Sequence, residues 1–176
     1  MDPAVIVGSF GITSGMKIAD FGSGSGHFTM ALARLVGDSG RVTAVDILET
    51  ALDSVRAQAK TAGLNNVDTV RANLELVGGT KLNNDSQDVV LVKNVLFQSP
   101  DKLGIIREAN RVLHENGKLI LIDWSKGSGG LGPPEDLRID SEAAKSLALT
   151  ASFAVETFLT IDKFHFGFIF KKTISG

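Results

Sequence analysis

The amino-acid sequence predicts an α/β fold in which a doubly wound, mostly parallel sheet is covered by helices on both faces. Strand-like apolar runs alternate with amphipathic helical runs, and this alternation is typical of parallel sheets. The run DVVLV at residues 88–92 is apolar after its first residue, as in a strand buried on both faces. Two strand patterns at the end of the chain indicate a hairpin, which makes the last strand antiparallel. The length of 176 residues favours a single domain over residues 1–176.

The first half of the chain contains three predicted strands and three predicted helices. Asp2 and Pro3 are typical of a helix start. The run that begins at His27 has apolar residues at the spacing of one helical face, and Gly37 ends it. Gly63 is the expected end of the next helix. The predicted elements are helix 3–10, strand 16–20, helix 27–36, strand 41–47, helix 49–62 and strand 67–71.

The second half begins with a weakly patterned stretch, residues 72–84, which we expect to be a loop with at most one helical turn. Residues 125–134 (SKGSGGLGPP) have the composition of a mobile loop or linker. Such a loop after the fifth strand would lie on the substrate side and could close over it. A plain surface linker is the alternative. The predicted elements are strand 88–92, helix 100–113, turn 115–117, strand 118–123, helix 141–151 and strands 154–161 and 164–171.

The composition excludes several classes of protein. With 43% hydrophobic and 22% charged residues, the chain is globular rather than disordered. A net charge of −2 argues against a broad nucleic-acid-binding face. The lack of cysteine excludes disulfides, cysteine-bound zinc and thiol nucleophiles, and we predict no metal site. No apolar run reaches the length of a membrane span, and Asp2 replaces the positive charge of a signal peptide. We therefore expect a cytoplasmic protein.

The stretch KIADFGSGSGHF, residues 17–28, combines a short strand, an acid and a glycine-rich turn before a helix. Glycine lets a ligand approach the backbone, and the free N–H groups of the helix start point into the turn. A dinucleotide-binding fingerprint would need a third glycine at His27. The acid favours a ligand with an ammonium group over a pyrophosphate. A glycine-rich turn without a ligand is the alternative. The residues of this pattern are Asp20, Gly22, Gly24 and Gly26.

Asp46 ends the second predicted strand and is the second feature that indicates a nucleoside. A carboxylate at this position can accept hydrogen bonds from both hydroxyl groups of a ribose. The contact would suit NAD as well, so it predicts a nucleoside without identifying it. A solvated acid at a strand end is the structural alternative.

The pattern D-x-G-x-G-x-G resembles motif I of the class I S-adenosylmethionine-dependent methyltransferases. Nearly the whole chain is similar to the small single-domain type near the ubiquinone/menaquinone-biosynthesis methyltransferases. The resemblance implies a Rossmann-like, seven-stranded sheet of order 3-2-1-4-5-7-6 and S-adenosyl-L-methionine as the cofactor. The segments that carry it are ADFGSGSGHF, GRVTAVDI, NVLFQ, EANRVLHENGKLILIDW and KFHFGFIFKK.

The resemblance also assigns site residues. The family often has an aspartate that accepts from the adenine amino group where this chain has Asn73, and an amide oxygen can also accept that bond. Substrate-lining positions are predicted at His27, Phe97 and Trp124. The predicted cofactor-binding residues are Asp20, Phe21, Gly22, Ser23, Gly24, Gly26, Asp46, Ile47, Asn73, Leu74 and Asn94.

The sequence predicts no catalytic residue, because no acid–base pair is evident. His114 follows a helix and fits a partner of the helix dipole. His165 lies in a strand of alternating phenylalanines that is typical of a core. His27 could instead be a helix-start residue with no role in the site.

The expected activity is methyl transfer to a small-molecule acceptor by in-line displacement. The tetrapeptide from Asn94 to Phe97 lacks the two prolines of nucleic-acid amino-methylases. The alternatives are a catalytically silent S-adenosylmethionine-binding subunit and an RNA methyltransferase. A local patch of Lys163, Lys171 and Lys172 favours the latter. The quinone enzymes carry extra helices before motif I and after the fifth strand. We therefore expect a small cover over the substrate here, or one completed by a second subunit in a homo-oligomer.

Overall fold

The computed structural model describes residues 2–173 and contains one seven-stranded sheet of order β3-β2-β1-β4-β5-β7-β6. The strands are parallel except β7, which is antiparallel to both of its neighbours. The predicted fold class and strand order are therefore confirmed. The strands are β1 (Lys17–Phe21), β2 (Arg41–Asp46), β3 (Val67–Arg71), β4 (Gln87–Lys93), β5 (Leu113–Trp124), β6 (Phe153–Asp162) and β7 (His165–Lys172). The helices are α1 (Pro3–Val7), α2 (His27–Val36), α3 (Glu49–Thr61), α4 (Lys102–Val112) and α5 (Ser141–Thr150).

Each face of the sheet has its own apolar layer. On one face, α1, α2 and α3 pack against alternate residues of the central strands, such as Ile18 and Leu91. On the other face, α4 and α5 pack against the intervening residues, including Phe21 and Val92. This alternation explains why the central strands are apolar on both sides. Within residues 2–173, no helix combines the length and apolar character needed to cross a membrane.

Two element boundaries differ from the prediction by three residues or more, whereas the other boundaries agree within two residues. The first helix ends at Val7 and not at residue 10, and Phe10 is fully buried beyond its end. Strand β5 begins at Leu113, which pairs with Gln87 before the register shifts to Lys118. The predicted turn at residues 115–117 is an irregularity inside this strand. It includes Asn116 in the left-handed conformation (φ 66°), which asparagine tolerates better than most residues.

Residues 72–84 form turns without a helix, and a buried acid from α4 holds them in place. Glu108 accepts hydrogen bonds from the Gly78 N–H at 2.6 Å and the Thr80 N–H at 3.2 Å. Arg111 donates to the same carboxylate at 2.7 Å and 2.8 Å. Burial raises the pKa of Glu108, but these hydrogen bonds outweigh burial and the pKa is lowered. The ionised carboxylate thus fixes the segment that forms one wall of the site.

Candidate cofactor and substrate site

A cleft of about 900 Å³ lies at the carboxyl ends of the first four strands. Parallel α/β sheets bind ligands at this edge, where the strand order reverses between β1 and β4. The residues that line the cleft include Asp20, Gly22, Ser23, Gly24, His27, Phe28, Asp46, Ile47, Leu48, Asn73, Leu74, Glu75, Lys93, Asn94 and Gln98.

The glycine loop between β1 and α2 is shaped for close approach of a ligand. The N–H groups of Gly22 and Ser23 donate to the Val45 carbonyl at 2.7 Å and 3.2 Å, which turns the chain toward β2. Gly22 is left-handed (φ 73°), and a side chain there would collide with Val95. Gly26 is also left-handed (φ 91°), and a Cβ there would lie 2.9 Å from Val55. Only glycine fits these two positions.

Asp46 connects the end of β2 to this loop. One carboxylate oxygen accepts from the Gly24 N–H at 2.9 Å, and the other accepts from the Leu48 N–H at 3.0 Å. An ionised carboxylate has about four lone-pair sites. Two sites are used by the backbone, so two remain for donors in the cleft, one on each oxygen. The sequence predicted this position, and the structure shows that Asp46 also orders the loop.

Asp20 is buried at the end of β1 beneath the loop. Its Oδ2 accepts from the Thr29 hydroxyl at 2.6 Å. Burial raises the pKa of Asp20 to about 6, although Thr29 and the nearby Lys93 favour the ionised form and Asp46 opposes it. A cationic group placed in the cleft would therefore stabilise the Asp20 carboxylate.

Lys93 was not predicted as a site residue, yet it lines the cleft at the end of β4. Its ammonium group lies 4.9 Å from the centre of the Phe28 ring. Burial lowers the pKa of Lys93, while Asp20 and Asp123 favour its charged form. A lysine directly after the apolar run of residues 89–92 was the available signal in the sequence.

Asn73 forms the far wall of the cleft after β3. Its Oδ1 accepts from the Glu75 N–H at 2.9 Å, so one of its two lone pairs already serves the local turn. Ile47 is more than half exposed and offers an apolar surface beside Asp46. This end of the cleft combines an apolar face with an amide.

Two buried side-chain atoms in the cleft have no hydrogen-bond partner among residues 2–173. They are the Ser23 hydroxyl and Oδ1 of Asn94. Buried polar groups are almost always hydrogen-bonded, so unpaired atoms beside a cleft indicate that a ligand completes them. The glycine cradle, the free acceptor sites of Asp46 and these two atoms fit a nucleoside carrying an amino-acid group.

Four predicted site residues lie outside the cleft lining. Phe21 is fully buried in the core, because alternate residues of β1 face α4 and not the ligand edge. Gly26 packs against Val55 at the start of α2. Phe97 belongs to a 3₁₀ turn, Leu96–Gln98, of which Gln98 lines the cleft. The ring of Trp124, which the sequence predicts as a substrate wall, packs against His165 at 4.1 Å between centroids.

The loop at residues 125–134 covers Trp124. Arg138 donates to the carbonyl groups of Leu131 at 2.6 Å and Pro133 at 3.0 Å, and its guanidinium lies 5.8 Å from the Trp124 ring. Gly132 lies directly against the same ring. Arg138, which the sequence did not single out, therefore organises this loop.

The structure contains an acid–base pair that the sequence did not predict. Nδ1 of His165 lies 2.8 Å from Oδ1 of Asp162 across the β6–β7 turn. The pair is adjacent to the cleft, because Nε2 of His165 faces Asn94 at 3.5 Å. Its signal was the spacing D-x-x-H at a predicted hairpin, which places both residues on one side of the turn. No group of three or more acidic or histidine side chains within residues 2–173 could hold a metal ion.

Comparison with known proteins identifies the family. Residues 12–164 match the family described as "Methyltransferase domain". The chain is 34% identical over 117 residues to the ubiquinone/menaquinone biosynthesis C-methyltransferase UbiE of Shewanella sp. (strain W3-18-1). That match covers 66% of this chain and 45% of the relative, so the chain spans under half the length of the curated relatives that it matches.

Solved structures show the same fold. A SAM-dependent methyltransferase from Aquifex aeolicus superposes with a TM-score of 0.88 at 24% identity, covering 97% of this chain and 89% of that one. A SAM-dependent methyltransferase from Methanosarcina mazei gives 0.77 at 19% identity, with 97% and 98% covered. The prediction of S-adenosyl-L-methionine as the cofactor is confirmed, and the chain belongs to the methyltransferase domain family, as a class I S-adenosylmethionine-dependent methyltransferase.

Proposed function

We propose that the protein transfers the methyl group of S-adenosylmethionine to a small-molecule acceptor by in-line displacement. The observation that carries this proposal is the grouping of Asp20, the glycine loop and Asp46 around one cleft at the carboxyl edge of the sheet. The bound cofactor supplies an electrophilic methyl group on a positively charged sulfur. The side chains of this protein bind and orient the cofactor and the acceptor, and they exclude water from the cleft.

Each residue of the cleft suits a different part of the cofactor because of its chemistry. The two free acceptor sites of Asp46 suit the ribose hydroxyls, and the buried carboxylate of Asp20 suits the ammonium group. Asn73 retains one acceptor lone pair for the adenine amino group, and Ile47 and Leu74 offer apolar contact to its ring. Gly22, Ser23 and Gly24 form the backbone cradle. Each of these assignments is a proposed contact.

The charge of the cleft favours a small acceptor over a nucleic acid. Its titratable residues are three acids, Asp20, Asp46 and Glu75, together with His27 and Lys93. Nucleic-acid sites need clustered lysine and arginine side chains to attract phosphates. We propose an aromatic hydroxyl compound as the first class to test, because the matched relatives are named for C-methylation in quinone biosynthesis.

Binding and turnover test the proposal separately. Calorimetry with S-adenosylmethionine, S-adenosylhomocysteine and NAD should give micromolar binding of the first two and none of NAD. Transfer from labelled S-adenosylmethionine is then measured with a panel of phenols, catechols and hydroquinones. Labelling of total tRNA that is lost when Lys163, Lys171 and Lys172 are changed would instead support the RNA methyltransferase alternative. Tight binding with no turnover on any panel would support a catalytically silent subunit.

A further inference from the structure

We propose that His165 accepts a proton from the methyl acceptor, that Asn94 holds the reacting oxygen, and that the acceptor carries an ionisable aromatic hydroxyl group. The inference rests on the proposed function and assigns the acid–base pair that the sequence did not show. Asp162 is a positioning residue for His165 in this scheme. The tautomer of His165, the position of Asn94 and the charges around the ring support this assignment.

The tautomer of His165 is set by the β6–β7 turn. Oδ1 of Asp162 accepts from the backbone N–H of Phe164 at 2.8 Å and of His165 at 3.0 Å. The same oxygen lies 2.8 Å from Nδ1 of His165, and a carboxylate oxygen can only accept, so Nδ1 carries the proton. The lone pair of Nε2 is thereby available. The side chain of His165 is only 7% exposed, which keeps this lone pair away from bulk water.

Asn94 connects Nε2 to the cleft. It lines the cleft directly after β4 and is left-handed (φ 55°), so the chain turns sharply at this residue. Its Nδ2 lies 3.5 Å from Nε2 of His165, which is at the outer limit of a hydrogen bond. A hydroxyl oxygen within reach of both atoms could accept from Nδ2 and donate to Nε2. The buried Oδ1 of Asn94 has no hydrogen-bond partner among residues 2–173, so this side chain has hydrogen-bonding capacity left for a ligand.

The charges facing His165 keep the ring neutral. Burial lowers its pKa from the usual value of 6.5, the charge of Lys93 at the end of β4 acts in the same direction, and Asp162 opposes both. From β5, the Trp124 ring packs against the His165 ring, and the guanidinium of Arg138 lies over the Trp124 ring. A neutral imidazole at neutral pH is the form that a general base requires.

The reaction moves one proton from the acceptor oxygen and one methyl group to the acceptor. The acceptor O–H bond breaks, its proton passes to Nε2 of His165, and its electron pair remains on oxygen. That pair, at the oxygen or at a conjugated ring carbon, forms the new bond to the methyl carbon as the carbon–sulfur bond breaks and its electrons pass to sulfur. The imidazolium is stabilised by Asp162 until it loses the proton to water. If carbon is methylated, the ring then loses its own proton to regain aromaticity.

Nuclear magnetic resonance of the three histidines tests the geometry without turnover. In protein saturated with S-adenosylhomocysteine, the nitrogen signals of His165 should report the Nδ1–H tautomer. Phenol should shift these signals, whereas anisole, which lacks the hydroxyl proton, should not. His114, at the opposite edge of the sheet, is the internal control and should respond to neither. Equal shifts with both probes, or none with phenol, would overturn the proposal.

Kinetics with 1,4-naphthohydroquinone tests the proton transfer. His165→Gln should lower kcat by about 100-fold at neutral pH. The loss should shrink as the pH approaches about 10, where an aromatic hydroxyl ionises without a base. Asp162→Asn keeps an oxygen for the turn, and it should shift the pH profile of kcat toward lower pH by lowering the pKa of His165. His114→Gln should change none of these values.

The outcomes separate this inference from the proposed function. If wild-type protein binds S-adenosylhomocysteine and methylates the hydroquinone while His165→Gln keeps its rate, only the role of His165 is wrong. A loss in His165→Gln that is equal at every pH would likewise contradict proton transfer, because it would indicate a structural role. If the wild-type protein binds neither form of the cofactor, the proposed function itself fails.

Discussion

One histidine–aspartate pair lies at the amino ends of the parallel strands, and another lies at their carboxyl ends. We call these the amino end and the carboxyl end of the sheet, and the surroundings of the two pairs differ. At the amino end, Asp88 accepts from the backbone N–H of Lys17 and from His114, both at 2.7 Å. At the carboxyl end, Asp162 pairs with His165 at 2.8 Å. The side chain of His114 is 41% exposed, whereas that of His165 is 7% exposed. The hydrogen bond to Asp88 raises the pKa of His114, but burial lowers the pKa of His165.

The same contrast holds for the acids. At the carboxyl end, burial raises the pKa of Asp20 and of Asp123 to about 6. Near the amino end, the exposed Asp85 pairs with Lys172 at 2.8 Å, and this hydrogen bond lowers the pKa of Asp85. Pairing alone therefore does not identify a functional group. Groups whose pKa is shifted by burial beside a cleft are the better candidates, because burying them costs folding stability.

The largest expected effect is on cofactor affinity when Asp46 is replaced. Asp46→Ala removes the hydrogen bonds from the Gly24 and Leu48 N–H groups and the two proposed bonds to ribose, so we expect at least about 100-fold weaker binding of S-adenosylmethionine. The matched control at the amino end is Asp88→Ala, which loses one backbone hydrogen bond and one bond to His114 but should leave the affinity unchanged. Calorimetry on both variants checks this. Equal losses would mean that the general stability of the fold, and not the ligand contact, determines binding.

The next effect is a pH dependence that only the carboxyl end should show. Asp20 has a pKa of about 6 in the free protein, and a bound ammonium group would favour its ionised form. Affinity should therefore be full above about pH 6 and fall roughly tenfold per pH unit below it, while the cofactor's amino group stays protonated. Asp20→Asn should bind weakly at every pH, without this slope. A slope that persists in Asp20→Asn would assign the effect to another group.

A smaller loss of cofactor affinity is expected for Asn73→Ala. Its oxygen already accepts from the Glu75 N–H, and the proposed bond to adenine has a neutral acceptor. Such bonds contribute ~0.5–1.5 kcal/mol, so Asn73→Ala should weaken binding by about 3- to 10-fold. The loss must be smaller than that of Asp46→Ala for the division of binding proposed above to hold. Titration of both variants under the same buffer conditions decides the order.

Much of this site could be predicted because its signals are local in sequence. The glycine spacing fixes the loop between strand and helix, and Asp20 and Asp46 end consecutive strands of the parallel sheet. Groups brought together across the sheet gave no such signal. His165 contacts Asn94 only because β7 lies antiparallel beside β5, and this contact joins residues that are distant in the sequence. Arg138 is similar, since its carbonyl partners lie in a loop without a regular pattern.

The loop at residues 125–134 should respond to ligands while the amino end does not. A side chain added at Gly129 or Gly130 would meet no atom within 4 Å, whereas Arg138 holds the neighbouring carbonyl groups. We expect fast hydrogen exchange at residues 127–132 in free protein, and slower exchange with cofactor and acceptor together. Arg138→Ala should abolish the slowing and change cofactor affinity by less than about threefold. Exchange that stays fast with both ligands would make the stretch a linker.

The smallest expected effect is on stability at the amino end, and it distinguishes the two histidines by sign. The pKa of His114 is raised above 6.5 in the folded protein, so its pair with Asp88 stabilises fully below about pH 6.5 and loses this effect as the pH rises. Because the pair is exposed, the contribution should be under about 1 kcal/mol. The pKa of His165 is lowered, so its burial costs stability as the pH falls below 6.5.

Chemical denaturation of His114→Gln and His165→Gln against wild type across acidic and alkaline pH measures both trends. His114→Gln should lose the most unfolding free energy at acidic pH, where the wild-type pair is charged. The unfolding free energy of His165→Gln should come closest to that of wild type, or exceed it, at acidic pH. The variant lacks the buried histidine, whose protonation favours the unfolded wild-type chain at that pH. If both variants shift in the same direction, the different burial of the two rings does not govern their protonation, and the contrast between the two ends of the sheet is wrong.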